Sequence, residues 1–402
     1  MAIDLVETLC DLVAIPSVNP MGRDVSGPEF LEHRMTEHLA ALFERMGLRY
    51  ERHTVEPRRD NIIARLDGAV PVEQGGELLL FEAHQDTVPV DGMTIDPWKP
   101  VVRDRRIYGR GACDIKGGMS AMLAAISRLA DEPPDARPTI VMACTVNEEH
   151  GYSGAVALAN LWQQGGSSLL SRTPDAAIVA EPTDLNVVVA HKGAVRWRCR
   201  TRGRAAHSSK PETGDNAVYK MSRVLAALEA YQHDVAPNIE PHPLCGGATL
   251  SVGTIRGGLS VNTVPDECTI EIDRRLLPGE DNQAAYRHVV DHIASWPGID
   301  FAVEHDSPFM DGATLSDGPN HALAKRLCEV AQVCGFPSKP IGVPYGTDAS
   351  KISAAGVPAV VFGPGSIDQA HTVDEWLPLD ELSLASEILY RLGRAGLKAA
   401  SS

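Results

Sequence analysis

Residues 77–86 read ELLLFEAHQD. The first seven form a short, nearly continuous apolar run, the pattern of a strand buried on both faces. The run ends at once in His84, Gln85 and Asp86. Three more stretches repeat that form. RPTIVMACTV from Arg137 runs into Asn147-Glu148-Glu149-His150, AAIVA (176–180) into Glu181-Pro182-Thr183, and PAVVF (358–362) into Gly363-Pro364-Gly365, with His371 shortly after. Helical periodicity lies between and around them, at residues 3–14, 28–46, 117–130, 153–163, 319–334 and 377–397, with a further strand at 61–66. Gly47 is placed to end the second helix. Strands alternating with helices predict an α/β domain, a mostly parallel sheet with helices on both faces.

The pattern changes near His191. The order becomes strand (193–201), helix (214–231), strand (247–256), strand (267–276), helix (281–294), strand (299–304). These strands alternate apolar and polar residues, as in TIEIDRR, so one sheet face is open to water. The order is that of a ferredoxin-like α+β unit. The expected organisation is a domain of residues 1–188 and 306–402 interrupted by an inserted domain of residues 189–305.

Composition bounds the function. A chain of 402 residues exceeds one ordinary core. An apolar fraction of 44% and a charged fraction of 22% suit a globular protein. A formal net charge of -16 leaves no basic stripe to neutralise phosphates, which argues against a nucleic-acid partner. Asp4, Glu7 and Asp11 stand where a signal peptide would be basic, and no apolar run is long enough to span a bilayer. The eight cysteines are scattered with no CxxC pair. A cytoplasmic location without disulfides or membrane association is expected.

In open α/β sheets, sites form beyond the carboxyl ends of the strands. Imidazoles and carboxylates gather there: His84, Glu148, Glu149, Glu181 and His371, with Asp114 in GRGACD directly before a helix. Taken singly, each has a plainer reading. A histidine at a strand end is a structural or surface residue, a glutamate pair is a solvated turn, and Asp114 is a helix cap. Recurrence at the ends of successive strands favours a common purpose. Zinc accepts this mixture of nitrogen and oxygen donors. Two zinc ions about 3.5–4 Å apart need a bridging carboxylate. Asp114 is the natural bridge, His84 and Glu181 complete one ion, and Glu149 and His371 the other. Asp86 can accept the second imidazole N–H of His84 and fix its tautomer. Glu148 is left as a free carboxylate beside a metal-bound water, the expected general base. The same donors also accept cobalt or manganese.

The motifs HQDTVPV (84–90), YGRGACDIKGGMSAML (108–123), NEEHGYSGA (147–155), AEPTDL (180–185), AHKGA (190–194), GRAAHSSKPETGDNA (203–217), NTVPDECTIEIDRRLLPGE (262–280) and GPGSIDQAHTVDEWL (363–377) occur in that order. Together they resemble the metallohydrolase family of aminoacylase, acetylornithine deacetylase, succinyl-diaminopimelate desuccinylase and glutamate carboxypeptidase. The resemblance implies amide hydrolysis with two zinc ions and the same roles for His84, Asp86, Asp114, Glu148, Glu149, Glu181 and His371. It further implies that the inserted domain is a lid, usually also a homodimer interface. In it, His207 would hydrogen-bond the oxyanion, often in the partner subunit's site. Arg275 would grip a substrate carboxylate and Asn262 would add a polar contact. Asn147 stands where aspartate is common in the family, at a position that is not a ligand. Glu181, where some branches carry aspartate, leans toward the deacylase, desuccinylase and carboxypeptidase branches. HSSKPETGDNA and GSIDQAH look most like acetylornithine deacetylase, so an N-acyl amino acid is the expected substrate, acetyl ahead of succinyl. A peptidase on the same core is the alternative. A protein that only binds would have lost a ligand or the base, and none is missing here.

Overall fold

The structure is a computed structural model that describes residues 3–397. It separates into two compact units. The first comprises the described chain up to Val189, then Asp317–Ile341 and Thr347 onward; the second comprises Ala190–Ser316 and Gly342–Gly346.

The first unit is built on an eight-stranded sheet. Its order is Arg49–Glu56, Arg59–Leu66, Thr139–Thr145, Leu78–His84, Ala176–Val179, Ala359–Val361, Val187–His191, Pro340–Val343. The four middle strands, 139–145, 78–84, 176–179 and 359–361, run parallel. The hairpin 49–66 and strand 187–191 join them antiparallel. Every residue of the four parallel strands is buried, as their apolar runs require. Two sets of helices accompany the sheet. Lys116–Ala130 packs against Leu5–Val13 and Leu379–Ala395, and Ser153–Gln164 packs against Ala349–Ala354.

Two departures from the sequence reading have local causes. Strand 49–56 (RYERHTVE) has no counterpart in the sequence reading. It is a half-exposed edge strand, so its charges do not conflict with pairing. The second helix begins at His33 rather than 28, because Leu31 takes a left-handed backbone (φ 67) and donates its N–H to the Val18 carbonyl. Gly47 (φ 70) does turn the chain out of that helix, with Leu48 N–H closing onto the Phe43 carbonyl.

The second unit has the order strand–helix–strand–strand–helix–strand. Its antiparallel sheet runs Thr249–Gly257, Glu267–Leu276, Gly193–Arg202, Val303–His305. The helices Ala217–Ala230 and Asn282–Ser295 supply the other half of a core that includes Trp197, Tyr231, Ile270, Ile272, Val289 and Ile293. The other sheet face carries cross-strand ion pairs such as Arg196–Asp273 at 2.6 Å and Arg198–Glu271 at 3.0 Å. The unit continues past the expected boundary at residue 305, to Ser316, because Met310–Gly312 pairs as a further strand with 193–202. All eight cysteines are free thiols. No helix among the described residues is long and apolar enough to cross a membrane.

Candidate metal centre

The parallel strands deliver their terminal residues to one place. His84 is the last residue of its strand and is 2% exposed. Its Nδ1 lies 2.9 Å from the main-chain carbonyl of Asp86, which assigns the proton to that nitrogen. Nε2 then faces Asp114 Oδ1 at 3.2 Å, to which it donates when the ring is protonated, and Glu181 Oε1 at 3.8 Å. The expected side-chain contact of Asp86 is corrected in detail. The carbonyl is the direct acceptor, and the Asp86 carboxylate stands farther off at 3.5 Å.

That carboxylate does other work. It accepts Asn19 Nδ2 at 2.7 Å and the backbone N–H groups of Glu148 and Glu149, each at 3.2 Å. Asp86 thereby ties the His84 strand end to the paired glutamates.

Asp114 is not the cap of the following helix, whose first residues it precedes without a capping hydrogen bond. Its oxygens point in two directions, Oδ1 to His84 and Oδ2 to His371 Nε2, both at 3.2 Å. Glu149 Oε2 lies 3.3 Å from the same His371 nitrogen. Two triads result, His84/Asp114/Glu181 and Asp114/Glu149/His371, with donor atoms in each within 4.8 Å of one another. Asp114 is common to both.

The electrostatics fit a cationic guest. Burial pushes the Asp114 carboxyl up, but hydrogen bonds from His371 and His84 outweigh it and hold it below the usual carboxylate range. Hydrogen bonds to Asp114 and Glu149 raise His371 to about 10. Burial, then the charge of Asp114, raises both Glu149 and Glu181. Burial, then the charge of Glu181, does the same to Glu148. Glu149 Oε1 is buried without a hydrogen-bond partner. A buried, unpartnered carboxylate oxygen among acidic neighbours matches a metal ligand set.

His207, Asn262 and Arg275 belong to the second unit. His207 lies on a two-residue strand paired with Thr263–Val264, exposed, with Nδ1 2.8 Å from Ser209 Oγ. Ser208 N–H donates to the Asn262 carbonyl, which keeps that segment beside His207. Arg275 Nε lies 2.9 Å from Asp273 Oδ1 on its own strand.

Further residues support the centre. Glu32, clasped by Arg59, accepts Asn147 N–H at 3.2 Å. Asn19 also donates to Asn147 Oδ1 at 2.9 Å. Thr145 Oγ1 lies 2.5 Å from Glu82 Oε1 and 3.1 Å from Oδ2 of Asp348, in the Gly346-Thr347-Asp348 segment, with one hydroxyl proton between the two carboxyl groups. Glu375, whose carboxylate accepts the backbone N–H groups of Cys113 and Asp114, had a signal, since it lies four residues beyond His371 in a quoted motif. Asn19 and Glu32 had none, because their partners are far away in sequence.

Fold and site together define a class. The model of peptidase family M20/M25/M40 matches residues 80–395, and the chain belongs to that family. It is a metal-dependent hydrolase of amide bonds. Among curated relatives, an acetylornithine deacetylase of Vibrio campbellii (strain ATCC BAA-1116) is 31% identical over 377 residues, covering 89% of this chain and 90% of that one. Among solved structures, a tripeptidase from Staphylococcus aureus subsp. aureus Mu50 has a TM-score of 0.75 at 23% identity, covering 96% of both chains. A Bacillus subtilis protein described as a dinuclear metal-binding peptidase has a TM-score of 0.70 at 18% identity, covering 98% of this chain and 97% of that one.

Proposed function

We propose that this chain is a zinc-dependent deacylase that removes an acyl group, acetyl first, from an N-acyl amino acid. The observation that carries the reading is the pair of triads sharing Asp114. His84 and Glu181 would hold one ion, Glu149 and His371 the other, and Asp114 both. When bound, the two ions supply Lewis-acid polarisation of the amide carbonyl and acidification of water. Glu148 provides the proton traffic. Its backbone is fixed by Asp86, and its buried, acidic surroundings raise its proton affinity. Such a carboxylate takes a proton from the attacking water and returns it to the leaving amine nitrogen.

For the second unit we assign the part of a lid. His207 would donate to the developing oxyanion. Arg275 would fork onto the substrate carboxylate, exchanging its Asp273 contact for it, with Asn262 as an added polar contact. A cytoplasmic homodimer joined through this unit completes the proposal. Acetyl is placed first because the curated relative at 31% identity is an acetylornithine deacetylase.

The test is Glu148→Ala. Turnover should fall about 10²–10⁴-fold, with the metal content of the wild type retained. Wild-type turnover in that variant would remove Glu148 as the base. A panel of N-acetyl, N-succinyl and dipeptide substrates on zinc-loaded protein then decides the acyl group. Preference for dipeptides would replace the deacylase by a peptidase.

A further inference from the structure

The side chain of Glu375 is fully buried, and four N–H donors converge on it. Oε2 accepts Arg110 Nη1 at 2.6 Å and Gly111 N–H at 3.0 Å. Oε1 accepts Cys113 N–H at 2.8 Å and Asp114 N–H at 3.0 Å. The main chain joins as well, with Gly109 N–H donating to the Glu375 carbonyl at 3.1 Å. Successive backbone N–H groups turned on one anion form a nest, which fixes the loop that makes it. Here that loop ends in Asp114.

Arg110 extends the clasp. Its Nη2 donates to the Pro89 carbonyl at 3.3 Å and the Thr372 carbonyl at 3.4 Å. Pro89 lies in the segment that follows His84, and Thr372 is the neighbour of His371. One ion pair thus joins the three stretches that bear His84, Asp114 and His371. Glu375 itself reaches no donor atom of the triads, so its action on the centre is indirect.

We propose that Glu375 is a positioning residue. Its carboxylate, closed by Arg110, sets the orientation of Asp114 relative to the histidines on either side and so sets the metal affinity of both halves of the centre. The proposal rests on the reading of Asp114 as the shared ligand. The chemistry needs a carboxylate. In Glu375→Gln, one of the two terminal positions becomes an NH2 group. Whichever way the amide flips, two of the four donors then face a donor.

The experiment measures Zn2+ affinity of the purified full chain by competition with a chromophoric chelator, for wild type, Glu375→Gln and Asp114→Asn. Far-UV circular dichroism at 25 °C reports the fold. Replacing an outer partner of a ligand typically weakens binding about 10–100-fold, and that loss is expected for folded Glu375→Gln. A residue that only stabilised the fold would lower the melting temperature and leave the affinity of the folded protein unchanged. Wild-type affinity in Glu375→Gln alongside loss of metal in Asp114→Asn overturns the proposal and leaves the metal centre standing. Wild-type affinity in Asp114→Asn overturns the reading of the centre itself, and the proposal with it. Should Glu375→Gln not fold, Glu375→Asp takes its place. It keeps the charge but withdraws it by about one bond, ~1.5 Å. A smaller loss of affinity is expected there, and wild-type affinity again overturns the proposal.

Discussion

Asp86→Asn tests whether the buried carboxylate beside His84 holds the catalytic loop in place. Asp86 is 1% exposed and serves three donors, Asn19 Nδ2 at 2.7 Å and the N–H groups of Glu148 and Glu149 at 3.2 Å. Two of them, Asn19 and Glu149, use Oδ2, while Glu148 uses Oδ1. The asparagine amide keeps the Oδ2 pair only by turning its NH2 toward the Glu148 N–H and the His84 imidazole. A buried N–H left without an acceptor costs about 1–3 kcal/mol. Loss of charge in the two remaining bonds adds roughly 1 kcal/mol. The sum is about 2–4 kcal/mol, or a fall in melting temperature of about 4–16 °C at roughly 2–4 °C per kcal/mol. Because Glu148 and Glu149 hang on the same side chain, kcat/KM for an N-acetyl amino acid should fall about 10–100-fold. Thermal unfolding and initial rates on zinc-loaded protein measure both. A variant with a melting temperature within one degree of wild type and an undiminished kcat/KM would refute the argument that Asp86 acts as the anchor.

Two further changes probe the frame around the centre. In Gly154→Ala the new Cβ would stand 2.2 Å from the Val146 carbonyl oxygen and 2.5 Å from the Val146 nitrogen, on the backbone that leads into Glu148. Neither atom can step aside, so urea unfolding should show a loss of about 1–3 kcal/mol together with reduced turnover, and an unchanged midpoint would contradict the packing. Lys116 is buried, with Nζ donating to the Ile15 carbonyl at 2.8 Å, and burial lowers its ammonium from an ordinary 10.5 to about 7. The unfolded chain therefore binds more protons between those values, and stability should rise with pH across that window, by up to about 1.4 kcal/mol per pH unit. Lys116→Met should lack that rise; parallel stability–pH curves for variant and wild type would reject the assignment.

Periodicity exposed the buried strands because water is excluded from both of their faces, which leaves no room for polar residues. Leu78–His84 and Thr139–Thr145 were readable for that reason. Strand 49–56 was not, since an edge strand keeps its charges in water and loses the apolar signal. Met310–Gly312 was missed differently. Three residues added to an existing sheet edge need little pattern of their own. The site followed the same division. Ligand types at strand ends announce themselves through chemistry that other uses rarely combine. Asn19, Glu32 and Glu375 act through hydrogen bonds to backbone N–H groups or to one another's partners, and any polar residue in a sequence has that capacity. Only folding reveals that Asn19 meets Asp86 and Asn147, 67 and 128 residues away.

Asp86 and Glu375 differ from the paired glutamates in their donors, and that contrast supports a metal. Asp86 and Glu375 are buried carboxylates whose oxygens are taken up by N–H donors, the ordinary condition of a buried anion. Glu149 keeps a buried oxygen with no donor at all. Glu148, Glu149 and Glu181 are each pushed up by burial and by the charge of another carboxylate. A fold able to furnish donors to Asp86 and Glu375 a few residues away could have furnished them here. Leaving these carboxylates short of donors costs stability in the apo chain, and a cation is the partner that recovers it. Metal binding should therefore be read in the stability of the first unit as well as in turnover, since an ion bound only by the folded state stabilises it by an amount that grows with the logarithm of its concentration over its Kd.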